Sequence, residues 1–339
     1  MDKKVEVLIS LPFPEELVEP LRDTFPRLNI TVHKAEKTED IPPELWERVE
    51  VLYTNNVLPD PDKTPQLRWI QFHWAGIDSL VEAPILHESQ VIATTLSGAA
   101  VSQMSEYIIM MLLALGHRLP KLVNHQRRAE WPDDRWKVFS PLELRDSVVG
   151  IVGYGSVGRH VARLAHLFGA TVLATKRDVL HPEDSGYTPK GMGDPEGDYV
   201  TRLYPPQALR SMFKECDFAV VTVPLTAETR GLIGEDELAA LKPTAFIIDV
   251  SRGGIIDHQA LLAALRGHRI AGAALDVFPE EPLPKKSPFW ELPNVLITPH
   301  ISGITPRYDQ RALTLFKENL HRYLEGLPLH NRFDPKRGY

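Results

Sequence analysis

The chain has 339 residues, of which 43% are apolar and 24% charged, ordinary proportions for a globular protein with room for two hydrophobic cores. Its net charge of -7 and dispersed basic residues argue against binding to nucleic acid or to a membrane. Cys216 is the only cysteine, which excludes a disulfide framework and a thiolate metal cluster, and we predict no metal site. The charged N-terminus lacks the apolar stretch of an export signal, so we expect a cytoplasmic location.

Residues 4–96 alternate strand-like and helical patterns. Helical connections such as Pro14–Phe25 predict that the strands form a parallel, doubly wound sheet. The strand candidates are Val5–Ile9, Leu28–Val32, Val49–Thr54, Leu67–Phe72 and Val91–Leu96. Ala75, Gly76 and Ile77 follow the fourth strand, where such sheets place their ligand loops. Their N–H groups could hold an anion, although an ordinary turn, taken alone, explains these residues better.

The next stretch, residues 99–119, has the apolar period of a long helix. Met104, Ile108 and Met111 fall on one stripe, which is typical of a core or a subunit interface. The following residues, Pro120–Leu144, show no clear period. We predict an irregular excursion there that covers a partner subunit.

Residues Val148–Arg177 predict a strand, a tight turn, a helix and a second strand. The turn is Gly153-Tyr154-Gly155-Ser156-Val157-Gly158, a GxGxxG pattern in the context typical of dinucleotide binding. The first glycine permits the turn, the second permits approach of a pyrophosphate, and the third permits close packing of helix on strand. The N-terminus of the helix would receive the phosphates. The alternative is a glycine-rich turn that binds nothing.

Residues His181–Tyr204 are rich in Gly, Pro and acidic residues and are interpreted as a surface insertion. Four strand candidates follow, which brings the second half to six: Phe218–Val223, Ala245–Val250, Ile270–Val277 and Val295–Thr298. A final helix, Thr305–Leu324, is expected to pack back onto the first domain. The chain is therefore predicted to be α/β with two doubly wound parallel sheets, one domain spanning 1–100 plus 301–339 and the other 101–300.

Three polar segments follow strands of the second half: Asp249–Gly254, Asp276–Pro282 and Thr298–Gly303. They offer the groups that hydride chemistry on a carbonyl needs. Histidine changes charge near neutral pH and can supply a proton, and a carboxylate on its other nitrogen fixes the tautomer. Arginine presents a charged fork to a substrate carboxylate. Taken singly, each residue could instead be structural.

These motifs resemble those of the D-2-hydroxyacid dehydrogenase family over nearly the whole chain. Besides the glycine turn, the matching segments are Val223–Thr226, Glu228–Ile233, Ser251–Gly253, Leu275–Phe278 with Glu281-Pro282, and Pro299–Gly303. The resemblance implies a Rossmann cofactor domain, a flavodoxin-like substrate domain and a homodimer formed through the long helix and the segment after it. The ending Asn331–Tyr339 and the residues Ala75–Ser79 are similar to the glyoxylate/hydroxypyruvate reductase branch.

The resemblance also implies roles for individual residues. Arg252, Glu281 and His300 would be catalytic, with His300 as the acid/base. The substrate would be held by Ala75, Gly76, Ile77, Arg252 and His300. The nicotinamide dinucleotide would be bound by Gly153, Tyr154, Gly155, Ser156, Val157, Gly158, Lys176, Arg177, Val223, Pro224, Thr229, Val250, Ser251, Arg252, Asp276, His300 and Gly303.

The chain departs from the family pattern at the end of the second strand of the cofactor unit. NAD-specific members carry an acidic residue there, whereas this chain has Lys176 and Arg177. Two cations favour a 2'-phosphate, so we expect NADP(H), with NAD(H) kept as the alternative by Asp178. Asp249 also stands where the family commonly has asparagine.

The predicted reaction is reduction of a short 2-oxo acid, of glyoxylate or hydroxypyruvate type, to the D-2-hydroxy acid. One alternative is a family member that acts on a larger or phosphorylated 2-oxo acid. The other is a dinucleotide-sensing binding protein similar to the corepressors of this family. The absence of a long interaction-rich extension disfavours the second alternative.

Overall fold

A computed structural model describes residues 4–184 and 186–339. The chain forms two compact units, Met1–Ala100 with Thr305–Tyr339, and Val101–Ile304. The chain passes from the second unit back to the first at residues 304–305, slightly beyond the predicted domain boundary at 300–301. Each unit is built on one parallel sheet, which confirms the predicted fold class.

The first unit contains five parallel strands in the order β2-β1-β3-β4-β5, the arrangement of flavodoxin-like folds. The strands are β1 (Val5–Ile9), β2 (Leu28–Val32), β3 (Val51–Thr54), β4 (Trp69–Phe72) and β5 (Ile92–Thr94), and the helices are α1 (Glu15–Thr24), α2 (Pro43–Arg48) and α10 (Tyr308–Leu324).

Both faces of this sheet are covered by apolar side chains. Helix α1 buries Val18 and Leu21, and α10 buries Leu313 and Phe316 in the same cluster on one face. Trp46 of α2 belongs to the cluster on the other face. The last helix therefore returns to the first sheet, as expected from its place beyond the last strand of the second half.

The second unit contains seven parallel strands in the order β12-β11-β10-β9-β6-β7-β8. The strands are β6 (Val148–Val152), β7 (Thr171–Thr175), β8 (Arg202–Tyr204), β9 (Phe218–Val221), β10 (Phe246–Asp249), β11 (Gly272–Leu275) and β12 (Val295–Ile297). The helices are α3 (Val101–Gly116), α4 (Leu119–Arg127), α5 (Arg135–Val138), α6 (Ser156–Leu167), α7 (Leu209–Phe213), α8 (Glu235–Ala240) and α9 (His258–Arg266). Read from the β8 edge, the first six strands run β8-β7-β6-β9-β10-β11, which is the 3-2-1-4-5-6 order of a Rossmann sheet when β6 is counted as the first, and β12 is added at the other edge.

Two predictions about this unit are wrong. The strand count is seven and not six, because the segment interpreted as a surface insertion ends in β8, which pairs with β7 through Arg202–Tyr204. The stretch interpreted as irregular contains α4 and α5. Pro120 stands at the start of α4, where proline needs no hydrogen-bond partner and initiates a helix.

Three further features of the described residues bear on function. No helix among them is long and apolar enough to cross a membrane. No group of three or more His, Cys, Asp or Glu side chains in the same residues is placed to hold a metal ion. Cys216 is a buried free thiol, and burial raises its pKa to about 12.

Candidate active site

The polar loops of the second unit gather at one edge of its sheet, because all its strands are parallel and their carboxyl ends lie together. The predicted cofactor residues fall in these loops. Gly153, Tyr154, Gly155, Ser156, Val157 and Gly158 follow β6, Lys176 and Arg177 follow β7, Val223, Pro224 and Thr229 follow β9, Val250, Ser251 and Arg252 follow β10, Asp276 follows β11, and His300 and Gly303 follow β12.

The glycine turn has the geometry that a pyrophosphate needs. Gly153 adopts a φ of +105°, in the region that favours glycine. A Cβ at Gly158 would lie 2.2 Å from the Gly153 carbonyl oxygen, so α6 can approach β6 only with glycine there. A Cβ at Gly155 would meet no atom within 4 Å, which leaves the surface beside the start of α6 open. The first N–H groups of that helix have no carbonyl partner within it and can bind an anion.

The end of β7 carries the two expected cations, with partners that the sequence does not reveal. The Lys176 ammonium donates to the carbonyl oxygens of His181 and Glu183, the latter at 3.0 Å. Arg177 lies 3.8 Å from the exposed carboxylate of Glu228. Asp178 pairs with His181 at 2.8 Å, and this hydrogen bond lowers the pKa of the carboxyl.

The segment after β7 is held onto the glycine turn by a buried arginine. Arg159 of α6 donates to the carbonyl oxygens of Asp194 and Pro182, each at 2.6 Å, and its guanidinium lies 4.3 Å from the Tyr154 ring. The Tyr154 hydroxyl donates to the Asp194 carboxylate, and burial together with this carboxylate raises the tyrosine pKa. The Tyr154 hydroxyl proton is therefore engaged within the chain, and so is its backbone N–H, which donates to the Thr175 carbonyl oxygen at 3.1 Å. Sequence reasoning missed Arg159, whose only signal is a charged residue on the buried face of an amphipathic helix.

Glu281 and His300 form a direct pair. The Glu281 Oε2 atom lies 2.7 Å from His300 Nδ1, and its Oε1 accepts a hydrogen bond of 2.9 Å from the Phe278 N–H. Because a carboxylate only accepts, the proton of this contact belongs to Nδ1, which leaves Nε2 for chemistry. Both side chains are partly exposed, so a substrate can reach them.

Asp276 fixes the backbone of the His300 loop. Its two oxygens accept hydrogen bonds from the N–H groups of Ile301 and Ser302, both at 2.9 Å, and from the Thr298 hydroxyl at 2.6 Å. His300 has a φ of +53° and donates its own N–H to the Asp276 carbonyl oxygen at 2.9 Å. A histidine keeps this less favoured conformation only where its surroundings define it, as they do here.

Arg252 lies on the loop after β10, which packs against the Glu281 loop. A Cβ at Gly253 would stand 2.1 Å from the Phe278 carbonyl oxygen, so the two backbones are in direct contact. The Arg252 side chain is half-buried and donates to the Ser251 carbonyl oxygen at 2.8 Å. The structure therefore places Arg252 on a loop adjoining the one that carries Glu281.

The same loop begins at Asp249, which is fully buried. Its Oδ1 accepts hydrogen bonds from the Ser251 N–H and hydroxyl, whereas Oδ2 has no partner within the described chain. Burial raises the pKa of Asp249 to about 7, and the negative charge of Asp276 adds to the effect. This carboxyl is therefore largely protonated below neutral pH.

In the first unit, Ala75, Gly76 and Ile77 form the loop after β4. Their three backbone N–H groups donate no hydrogen bond to any residue in 4–184 or 186–339. Consecutive unsatisfied N–H groups are the donors with which a backbone binds an anion. This observation weakens the interpretation of the loop as an ordinary turn.

The start of the second unit exposes large apolar side chains. Met110 of α3 is 52% exposed, and Trp131 and Trp136, in the segment that includes α5, are 83% and 79% exposed. A cleft of about 540 Å³ with an almost entirely apolar lining includes Met110, Leu119 and Phe168. Exposed apolar patches of this kind mark interaction surfaces.

A family model described as the NAD binding domain of D-isomer specific 2-hydroxyacid dehydrogenase matches residues 109–302. The glyoxylate reductase of Thermococcus gammatolerans is 30% identical over 95% of this chain and 94% of its own length. The D-3-phosphoglycerate dehydrogenase of Methanocaldococcus jannaschii is 32% identical over 78% of this chain, and the chain spans only 47% of that protein.

Solved structures show the same architecture. The D-isomer specific 2-hydroxyacid dehydrogenase of Xanthobacter autotrophicus, in complex with NADPH and MES, is 30% identical, with a TM-score of 0.80 over 99% of this chain and 100% of that one. The NADPH-dependent glyoxylate/hydroxypyruvate reductase of Sinorhizobium meliloti, in complex with NADP and sulfate, is 27% identical, with a TM-score of 0.77 over 99% and 100% of the two chains. The chain therefore belongs to the D-isomer specific 2-hydroxyacid dehydrogenases, a family of NAD(P)-dependent oxidoreductases that act on CH–OH groups.

Proposed function

We propose that this enzyme reduces a short 2-oxo acid, of glyoxylate or hydroxypyruvate type, to the D-2-hydroxy acid, with NADP(H) as the favoured cofactor. The observation that carries the proposal is the Glu281–His300 pair, at 2.7 Å, on the sheet edge that also carries the glycine turn. The nicotinamide, when bound, supplies the hydride.

His300 is the proton donor of the proposal. Glu281 engages Nδ1, so Nε2 is the nitrogen that would protonate the substrate oxygen as the carbonyl is reduced. The carboxylate stabilises the imidazolium before transfer and keeps the ring oriented. Asp276 holds the loop backbone that carries the ring, and the remaining hydrogen-bond capacity of its Oδ2 would contact the carboxamide of the cofactor.

The substrate carboxylate needs fixed donors. Arg252 offers a permanently charged guanidinium, which can bind the carboxylate or the carbonyl oxygen. The unsatisfied N–H groups of Ala75, Gly76 and Ile77 would hold the carboxylate of the same 2-oxo acid. The loop donors bind a carboxylate that does not react, alike in the substrate and in the transition state, so their loss should raise KM more than it lowers kcat.

The proposed preference for NADP(H) rests on Lys176 and Arg177 at the end of β7. Arg177 is half-exposed and can pair with a 2'-phosphate in place of Glu228. Lys176 adds positive charge at the same strand end, although its ammonium is also bonded to two carbonyl oxygens. The two related structures described above were solved with NADPH or NADP.

The test is a set of initial rates with NADPH and NADH against glyoxylate, hydroxypyruvate, pyruvate, a branched 2-oxo acid and 3-phosphohydroxypyruvate. We expect the highest kcat/KM with NADPH and one of the first two acids. A higher value with 3-phosphohydroxypyruvate would support the alternative that the phosphoglycerate dehydrogenase relative suggests. A clear preference for NADH would refute the cofactor assignment. Undetectable turnover with every acid would favour a dinucleotide-sensing binding protein.

We also propose that the enzyme is a cytoplasmic homodimer formed through α3 and the segment that includes α5. The exposed Met110, Trp131 and Trp136 support this surface, because burial of such side chains stabilises association. Light scattering of the wild type should give twice the chain mass, and Met110→Lys should reduce it. A monomeric wild type would contradict the assembly, and fluorescence microscopy of a tagged chain would test the location.

A further inference from the structure

We propose that His73 is a positioning residue, which holds the loop Ala75–Ile77 in the geometry that binds the substrate carboxylate. The inference rests on the proposed function of that loop. It concerns five residues of the first unit, here called the His73 cluster: Tyr53, His73, Trp74, Tyr308 and Asp309.

The His73 ring is buried and has a polar partner facing each nitrogen. The Tyr53 hydroxyl lies 2.8 Å from Nδ1, and the Asp309 carboxylate lies 3.5 Å from Nε2. Because the Asp309 carboxylate only accepts, the ring proton lies on Nε2, and Nδ1 accepts from the Tyr53 hydroxyl, whose pKa burial raises well above its usual value. Burial lowers the pKa of His73 to about 4, against the opposing effect of Asp309. The ring is therefore neutral, with its proton on Nε2 and directed at Asp309.

The backbone beside His73 is fixed in three places. The His73 N–H donates to the Thr54 carbonyl oxygen at 2.8 Å, and the His73 carbonyl oxygen accepts from the Tyr308 hydroxyl at 3.0 Å. The Trp74 carbonyl oxygen accepts from the Leu96 N–H at 3.1 Å. Immediately after these anchors come the unsatisfied N–H groups of Ala75, Gly76 and Ile77, so the anchored backbone sets their direction.

Aromatic contacts complete the cluster. The Trp74 ring lies 4.9 Å from the His73 ring and 5.1 Å from the Tyr308 ring, measured between centroids. His73 and Tyr308 themselves meet edge to face at 5.2 Å. Rings at these separations attract one another and restrict each other's rotation. The side chain and the carbonyl group of His73 are thus held by different members of one packed group.

The expected effect is a selective loss of substrate binding. Tyr308→Phe removes the hydroxyl that holds the His73 carbonyl group, and Tyr53→Phe removes the donor to the His73 ring. Because misaligned N–H groups lose hydrogen bonds to a charged carboxylate, we expect KM for glyoxylate or hydroxypyruvate to rise roughly 10- to 100-fold. We expect kcat and KM for NADPH to stay within about threefold of the wild type, because His300 and the glycine turn belong to the other unit.

Tyr323→Phe is the matched control. Tyr323 lies on α10, as Tyr308 does, but its hydroxyl donates to the Glu50 carboxylate at 2.8 Å and not to the backbone that leads into the loop Ala75–Ile77. Its removal should leave every kinetic constant unchanged. Thermal unfolding of the three variants would show that each is folded at the assay temperature.

Binding of oxamate, a 2-oxo acid analogue that is not reduced, gives a readout independent of turnover. The affinity of oxamate for the cofactor-loaded enzyme should be at least about 10-fold lower in Tyr308→Phe and Tyr53→Phe than in the wild type. It should be unchanged in Tyr323→Phe. An unaltered substrate KM and oxamate affinity in both variants, with an active wild type, would overturn the role of His73 and leave the proposed function intact. An equal fall of kcat in all three variants would show a merely structural role and would also overturn it. Absence of turnover in the wild type would instead refute the proposed function.

Discussion

The stability of Asp249→Asn relative to the wild type should increase as the pH rises. The carboxyl is fully buried and its Oδ2 has no partner in the described chain, so ionisation is unfavourable in the folded state. Its pKa is about 7, against 3.8 for an ordinary aspartate. Between these values the folded state binds a proton that the unfolded state has released, so the free energy of unfolding falls as pH rises through this window.

The magnitude follows from the two values. A tenfold change in proton affinity corresponds to about 1.4 kcal/mol, so the ionised Asp249 costs roughly 4 kcal/mol of folding free energy above pH 7. Part of this cost is already present at pH 5, and the further loss between pH 5 and pH 8 is about 2–3 kcal/mol. The amide introduced by Asp249→Asn would not titrate and would still accept from Ser251 through its oxygen.

Calorimetry at pH 5, 6, 7 and 8 would measure the effect. For a unit of this size, about 2–3 kcal/mol corresponds to roughly 5–10 °C in Tm. The Tm of Asp249→Asn minus that of the wild type should therefore be larger at pH 8 than at pH 5 by roughly this amount. Asp249→Ala is the matched control, because it loses the same titration and adds a constant penalty from the cavity and the lost acceptor. A Tm difference between Asp249→Asn and the wild type that does not vary with pH would refute the reasoning.

Three further outcomes are expected. His300→Ala should lower turnover by about 100- to 10,000-fold, and Glu281→Gln by a smaller factor, since it removes only the orienting charge; near-normal turnover of the first variant would remove histidine from the mechanism. Gly158→Ala should weaken NADPH binding, measured by fluorescence titration, and destabilise the fold by about 1–3 kcal/mol. The reason is that its Cβ would lie 2.2 Å from the Gly153 carbonyl oxygen, and an unchanged Kd and Tm would contradict the packing described. Arg177→Ser should raise KM for NADPH with little change for NADH, and equal effects on both would argue against a 2'-phosphate contact.

The sequence predicts the fold well where patterns are long and local. Apolar runs separated by helical periods locate both sheets, and the GxGxxG turn identifies the cofactor unit. The edge strand β8 escapes prediction because Arg202–Tyr204 begins with an exposed arginine and follows a stretch rich in glycine and proline, so no apolar run marks it. Helix α4 escapes because its apolar stripe is only about one turn long, Leu119, Leu122 and Val123, and none of its residues is buried.

In the candidate site, too, some residues are predictable from sequence motifs and others are not. Glu281 and His300 stand in recognisable motifs. Their catalytic role stays a prediction, which the 2.7 Å contact between their side chains supports. No sequence pattern relates Tyr53 to His73, or Arg159 to Asp194, because each contact joins parts of the chain that only the folded topology brings together. A buried charge or a buried ring depends on such partners, which spacing along the sequence does not encode.

The Arg159–Asp194 contact has a consequence for attempts to trim or exchange the stretch between β7 and β8. Deleting residues 181–197 would strip a buried guanidinium of its carbonyl acceptors and the Tyr154 hydroxyl of its carboxylate. Loss of such a buried hydrogen-bond network destabilises a fold, so the shortened chain should be less stable and not merely altered in cofactor choice. In protein engineering, therefore, this stretch has to be transplanted together with Arg159 and Tyr154, as a single module.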